Sequence, residues 1–381
     1  MVAKVVHGSG SSLDWLGADV QPVGMTSHGA DTAPFHGHIE SMGLAQRSIT
    51  QVGALPIRGP SLLLAAIPSM LGFTPERSAI VLGLQCTDRG VSSVVCTARV
   101  DLPEEQLGDD IAAWSDWFAD TLEAVIERSH TLLVVVWEDG STHSVRDMCQ
   151  LAQSSLMSAG ANIADLVLVS DGRWHSLLCE SSACCPQEGW GLDGAARDRA
   201  SELLGLARVA PHMSRRNLED ELDGPGNRGE WPREPPEITP GAFEVAVAHA
   251  VSSLTTGSPC DDRDLVLIGI ALCDRQVRDT VIWDVLSGGR GSLQHAISVL
   301  VEAVRCAPTH YVAPLAACLG LFHWQSGDGI RAGLAIQKSL DADPEYSFSQ
   351  LLMRCLSQGV SAEEWWAGLR LIGRNRCARR S

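Results

Sequence analysis

Cys179, Cys184 and Cys185 place three thiols within seven residues, with Pro186 and Gly189 close behind. Thiolates are soft ligands, and zinc takes four tetrahedral donors with Zn–S bonds of about 2.3 Å. Zinc is therefore the metal this cluster would hold, although its spacing is not the CxxC of common zinc loops. His175 offers an imidazole nearby. On a regular strand it would stand about 13 Å from Cys179, at about 3.3 Å per residue. The two can share an ion only if the strand is broken between them. Otherwise a fourth ligand has to come from elsewhere, and His212 is a candidate. The same thiols could instead form a redox pair, which needs a positive charge or a metal to generate a thiolate at neutral pH. Arg173 and Arg215 are the nearest cations in sequence. A third reading makes the cysteines small, reduced core residues.

Two further charge groups stand out. Arg99 and Asp101 share one face near the end of a strand, where α/β sheets tend to receive ligands. A pair at this spacing also forms ordinary ion pairs of little energetic weight. Arg278 and Asp279 fall at the start of a helix that Asp274 can cap, with Arg275 beside them. They are candidates for anion binding, against the reading of a solvated face or an ion pair that joins domains.

The elements that must position these groups follow from hydrophobic period. Pro60 to Gly72 reads as an apolar helix, with Ser61 as its cap, Pro68 as a kink and Gly72 as its left-handed end. Ala79 to Leu82 is apolar on both faces, as an interior strand requires. Val91 to Asp101 alternates with a period of two, and the turn before it predicts an antiparallel pair with the preceding strand. Leu107 to Val125 repeats at helical spacing and predicts one amphipathic helix of about five turns. Leu132 to Trp137 is a central strand, Ser144 to Ala159 a second helix, and Leu166 to Val169 a further strand. Asp171-Gly172 is a hairpin signal leading into a strand over Trp174 to Glu180. After a polar, Pro- and Gly-rich stretch from Arg215 to Thr239, the period is helical throughout. Helices are expected over 242–254, 265–273, 277–286, 293–304, 313–325, 329–340, 347–356 and 362–371. The spacing around Asp343-Pro344 resembles a tetratricopeptide hairpin, but one hairpin does not make a repeat array. The fold class is thus an α/β mixed-sheet domain followed by an all-helical domain. The expected boundaries are 1–58 as a disordered or loosely attached segment, 59–213, a linker over 214–238, 239–371, and a basic tail over 372–381.

Composition narrows the function classes. The 381 residues are 45% hydrophobic, which marks a globular chain, and the net charge is -17. That balance speaks against a main role in gripping nucleic acid or anionic lipid. No apolar run reaches the roughly 20 residues of a membrane span, and no secretory signal is evident at the N-terminus. Twelve cysteines scattered through such a chain read as mostly reduced, and a cytoplasmic location is expected. Walker, GxGxxG, GxSxG, HExxH and calcium-loop patterns are absent, so the common nucleotide-binding and hydrolase classes lose weight.

Five stretches carry a family resemblance. They are IPSMLGFTPERSAIVLGL from Ile67, ARVDLP from Ala98, LCESSACCPQEG from Leu178, DRQVRD from Asp274, and WQSGDGIRAGLAIQKSLDADPEYSFSQLL from Trp324. Together they resemble the domain of unknown function 4192 family of actinobacteria, over about Gly59 to Trp366. The resemblance implies a cytoplasmic bacterial protein with no established reaction. Two functions remain in view. One is a soluble, non-catalytic binding or regulatory protein with a protein or small-molecule partner. The other is an enzyme or thiol/zinc protein that uses the cysteine cluster, with Arg99 or Arg278 binding an anion.

Overall fold

The computed structural model describes residues 4–6, 39–42, 56–57, 60–86, 91–102, 111–138, 143–182, 184–192, 194–204, 213–225, 228–257 and 259–374. The chain forms two compact units, which divide at Ser214/Arg215. The expectation of a loose segment over 1–58 falls largely outside the described residues. Within it lie three short strands, β1 (Lys4–Val6), β2 (Ile39–Met42) and β3 (Pro56–Ile57). β1 and β2 pair with the strand over Val91–Asp101, and β3 pairs with β1.

The first unit is a mixed sheet clad by helices. Helix α1 (Pro60–Leu71) is apolar and buried from Leu63 to Pro68 and at Leu71. Gly72 ends it with φ +84°, the left-handed conformation that glycine adopts without a Cβ penalty. Ser61 does not serve as the N-cap the sequence suggests. The helix already starts at Pro60, and the Ser61 hydroxyl accepts from Trp174 Nε1 at 3.1 Å. Strands β4 (Ser78–Cys86) and β5 (Val91–Asp101) pair antiparallel as expected.

Helices α2 (Ile111–Thr121) and α3 (Glu123–Arg128) replace the single long helix expected there. The break falls at fully buried Leu122, whose N–H is shared between the carbonyls of Phe118 and Ala119. Such sharing tightens a helix end. Strand β6 (Thr131–Trp137) is buried at every position, as a central strand must be. Helix α4 (His143–Ser158) then crosses to β7 (Ile163–Ser170), which pairs parallel with β6. The turn at Asp171-Gly172 has φ +51° and +70°, and sends the chain back as β8 (Arg173–Ser176). Strand β9 (Trp190–Gly191) and helix α5 (Gly194–Leu204), neither foreseen in sequence, complete the unit. The sheet order from β5 is β5-β4-β6-β7-β8-β9. One face packs Ala79, Val81, Ala98, Val100, Val134 and Leu168 against Trp114, Phe118 and Met148 of α2 and α4.

The second unit is helical: α6 (Arg215–Asp220), α7 (Phe243–Thr255), α8 (Asp262–Cys273), α9 (Arg275–Ser287), α10 (Arg290–Cys306), α11 (Thr309–Ser326), α12 (Gly329–Ala342), α13 (Ser347–Ser357) and α14 (Ala362–Ile372). All eight helices expected after Thr239 are present. Helix α11 is buried continuously from Tyr311 to Trp324, so it forms the axis of the bundle. A Cβ on Gly320 would come within 2.6 Å of Ile336 Cγ1, which shows how closely α12 approaches. The stretch read as a linker packs on this unit. Leu222 and Ile238 join its core, and Trp231 lies 4.8 Å from Tyr311. Its prolines and glycines steer an extended strap along the helices. Among the described residues, no helix is long and apolar enough to cross a membrane.

Candidate functional site

The cysteine cluster owes its shape to Ser176. A strand to Glu180 is the sequence expectation, but β8 ends at Ser176. The Ser176 hydroxyl donates to Asp165 Oδ1 at 2.5 Å and accepts from the backbone N–H groups of Leu178 and Cys179, at 3.1 and 3.0 Å. Those N–H groups are thereby taken from any further sheet ladder, the usual competition between short polar side chains and secondary structure. Burial raises the Asp165 carboxyl above its ordinary value, against hydrogen bonds from Ser176 and the Leu166 N–H. Cys179 therefore lies in a loop and does not end a strand.

The loop then folds on itself. The N–H groups of Cys184 and Cys185 both donate to the Ser181 carbonyl, at 3.1 and 2.7 Å. Trp190 Nε1 donates to the Cys184 carbonyl at 2.9 Å, and Arg173 donates to the carbonyls of Glu188 and Gly189 at 2.5 and 2.7 Å. As a result the three Sγ atoms all lie within 4.8 Å of one another, half-buried. Three thiolates on one tetrahedral zinc stand about 3.8 Å apart, given Zn–S bonds of about 2.3 Å. The observed cluster needs only a small contraction to reach that geometry.

The thiols differ in acidity. Cys179 is held below the ordinary thiol range, first by the Ser181 backbone N–H and then by the Cys185 and Cys184 side chains. Cys185 is pushed up to about 12, by burial first and by Cys179 second. The cations suggested by sequence play no part in this. Arg173 is spent on the loop carbonyls, and Arg215 pairs with Glu219 at 2.6 Å in the helical unit. His175 is not in the cluster, and its Nε2 faces Arg146 Nη2 at 3.4 Å. His212 lies outside the described residues.

Gly189 closes the loop with φ +69°, and a Cβ there would lie 2.7 Å from the Trp174 carbonyl oxygen. Gly189→Ala is expected to destabilise the α/β unit by about 1–3 kcal/mol, from a strained backbone conformation and a clash with main chain. It should also speed thiol modification at Cys184 and Cys185, which kinetic labelling would measure. Unchanged labelling and stability would refute this account of the loop.

Arg99 and Asp101 do share a face of β5, but Arg99 is buried. Its side chain is only 4% exposed; Nη2 donates to Asp101 Oδ1 at 2.5 Å, and the guanidinium lies 5.5 Å from the centre of the Phe73 ring. Nε and Nη1 have no hydrogen-bond partner, nor does Thr97 Oγ1 two residues before on the same face. Unpaired buried donors of this kind are costly. In sequence, the alternation of β5 marked this face as polar; it did not reveal that Phe73, just beyond α1, lies over it.

Arg278 and Asp279 belong to the helical unit, where Asp274 caps α9 by accepting from the N–H groups of Gln276 and Val277. Arg278 Nε and Nη2 donate to Asp279 Oδ1 at 2.9 and 2.7 Å, and Nη1 donates to the Tyr346 hydroxyl at 2.7 Å. The guanidinium stacks 4.3 Å from the Phe348 ring centre. This arginine fastens α9 to the turn before α13, and its donors are directed to the protein itself. Arg275 precedes it at the first position of α9.

The molecule is thus a two-unit protein in which a mixed α/β sheet carrying a thiol-rich loop is followed by a helical bundle. A family model described as a domain of unknown function, DUF4192, matches residues 60–239 and 224–363. The chain belongs to that family. No curated protein and no solved structure matches it.

Proposed function

We propose that this is a non-catalytic binding or regulatory protein whose α/β unit holds a zinc ion on Cys179, Cys184 and Cys185. The observation that carries this reading is the convergence of three Sγ atoms within 4.8 Å, on a loop braced by Ser176, Arg173 and Trp190. Three thiolates against a divalent ion leave the centre with a net charge of about -1, by formal charges. Such a centre is a weaker Lewis acid than a site of three neutral imidazoles. The site therefore suits structural or regulatory binding better than hydrolysis. Its fourth position is open to a ligand from this chain, from a partner protein or from a small molecule. Arg99, with two buried unpaired donors beside Asp101, is the better-supported anion ligand; Arg278 and Asp279 serve as an internal clasp.

Elemental analysis of protein purified without chelator tests the reading. About one zinc per chain is expected, and Cys184→Ser should weaken binding at least about tenfold with far-ultraviolet circular dichroism unchanged. Absence of zinc even after its addition would overturn it. A second reading draws on the split acidity of Cys179 and Cys185. In it the Cys179 thiolate attacks a peroxide, water leaves, and Cys185 displaces a second water to close a disulfide. Two electrons pass from the thiols to the peroxide. Thiol counting after peroxide treatment separates the two: a loss of two thiols without metal favours the redox pair.

A further inference from the structure

A cavity of about 340 Å3 lies within the helical unit, between the α6 turn, α10, α11 and α12. Nothing in the sequence singles it out, because its walls come from four separated segments. The interior is apolar, lined by Leu218, Leu222, Ile297 and Leu334, all buried. Its polar lining is Ser298, whose hydroxyl donates to the Gln294 carbonyl, the charged pair Glu221 and Arg331, and His323. His323 is 6% exposed and lines the cavity. A ligand in the cavity can therefore hydrogen-bond to the imidazole. On a helix buried on all sides, an aliphatic residue would serve packing better than histidine.

The rim decides the charge of what enters. Arg331 is held by Glu221 through two hydrogen bonds, at 3.0 and 3.1 Å, and by Asp328 at 3.1 Å. Two carboxylates against one guanidinium leave the rim acidic and leave Arg331 with little to offer an anion. Within the range of ligand-sized cavities, roughly 300–1,000 Å3, this one is at the small end.

We propose that this cavity is a binding site for a small uncharged molecule, with a compact apolar body and a single hydroxyl or carbonyl group that hydrogen-bonds to His323. At neutral pH the ring offers one donor and one acceptor, since burial holds His323 well below its ordinary value, to about 4. A hydroxyl can use either nitrogen, whereas a carboxylate would meet Glu221 and Asp328 and an uncharged ring. The site is independent of the thiol cluster.

The test uses the full chain and a panel of neutral alcohols from cyclohexanol to 2-naphthol, with naphthalene and 2-naphthoate as controls. Binding is read by saturation-transfer NMR and by the shift of the His323 ring protons. 2-Naphthol should bind at least about tenfold more tightly than either control, the discrimination expected when a buried polar group is left unpaired. His323→Phe should bring 2-naphthol and naphthalene to equal affinity. Val301→Trp, which fills the cavity from α10 and leaves His323 in the sequence, should abolish binding while the helical circular dichroism is kept. The proposal is overturned if no alcohol binds saturably, if 2-naphthoate binds best, or if Val301→Trp leaves binding intact.

Discussion

Arg278→Met should cost the helical unit about 3 kcal/mol, because it breaks a buried charge arrangement and keeps only the stem of the side chain. Arg278 is 7% exposed, and its guanidinium serves three partners: Asp279, Tyr346 and the Phe348 ring. Methionine can fill the space over Phe348, so the loss reports the charge and the hydrogen bonds more than the volume. Asp279, whose side chain is 32% exposed, can turn to water and moderates the cost. Tyr346, whose hydroxyl burial pushes up to about 12, loses its donor. For a unit of this size the midpoint of thermal unfolding should fall by about 6–12 °C. Arg278→Lys should recover less than half, since an ammonium cannot reach Asp279 and Tyr346 together while stacking on Phe348. A fall of under about 1 kcal/mol, the range of an ordinary surface ion pair, would show that Arg278 is not a clasp.

Acid should weaken the same unit through His323, and the sign follows from linkage. The folded-state value is about 4, against an ordinary 6.5, because burial disfavours the imidazolium. The neighbouring charges oppose one another: Asp328 and Glu221 favour the proton, and Arg331 disfavours it. Between those two values the unfolded chain binds the proton and the folded chain does not. His323 therefore costs nothing above about pH 6.5, and stability is lost progressively as the pH falls toward 4, below which the loss levels off. Its share is about 3 kcal/mol at about 1.36 kcal/mol per pH unit. Denaturant titrations of parent and His323→Leu at pH 7, 5.5 and 4 would measure it as a difference. His175, also lowered by burial first and Arg146 second, contributes equally to both proteins. The variant should be relatively more stable at pH 4 than at pH 7; parallel pH profiles would refute the assignment.

Much of the frame is legible in the residues themselves. The run TLLVVVW needs burial on both faces, and it is the central strand. Asp171-Gly172 can take two successive positive φ values, and it makes the hairpin between β7 and β8. Asp274, read as a cap, accepts from two N–H groups of α9. These are local properties, set by a residue's own dihedral preferences or by the period of its neighbours, so sequence alone determines them. It also brings the three cysteines into one short segment and marks Arg99, Asp101, Arg278 and Asp279 as charges in need of an explanation.

Tertiary structure decided what those groups can do. Period-two reading places Arg99 on the polar face of β5, but only tertiary packing buries it and sets Phe73 over its guanidinium. Arg278 meets Tyr346 across 68 residues of chain, a contact no spacing rule encodes. The strand expected through Cys179 stops at Ser176 because Asp165, eleven residues earlier on β7, orients a hydroxyl that captures two backbone donors. The cavity at His323 exists only where four segments fail to fill the space between them. Side-chain pairing over long sequence distance and the volume left between packed elements depend on how helices and strands meet. That is a property of the whole unit, and local residue pattern does not contain it.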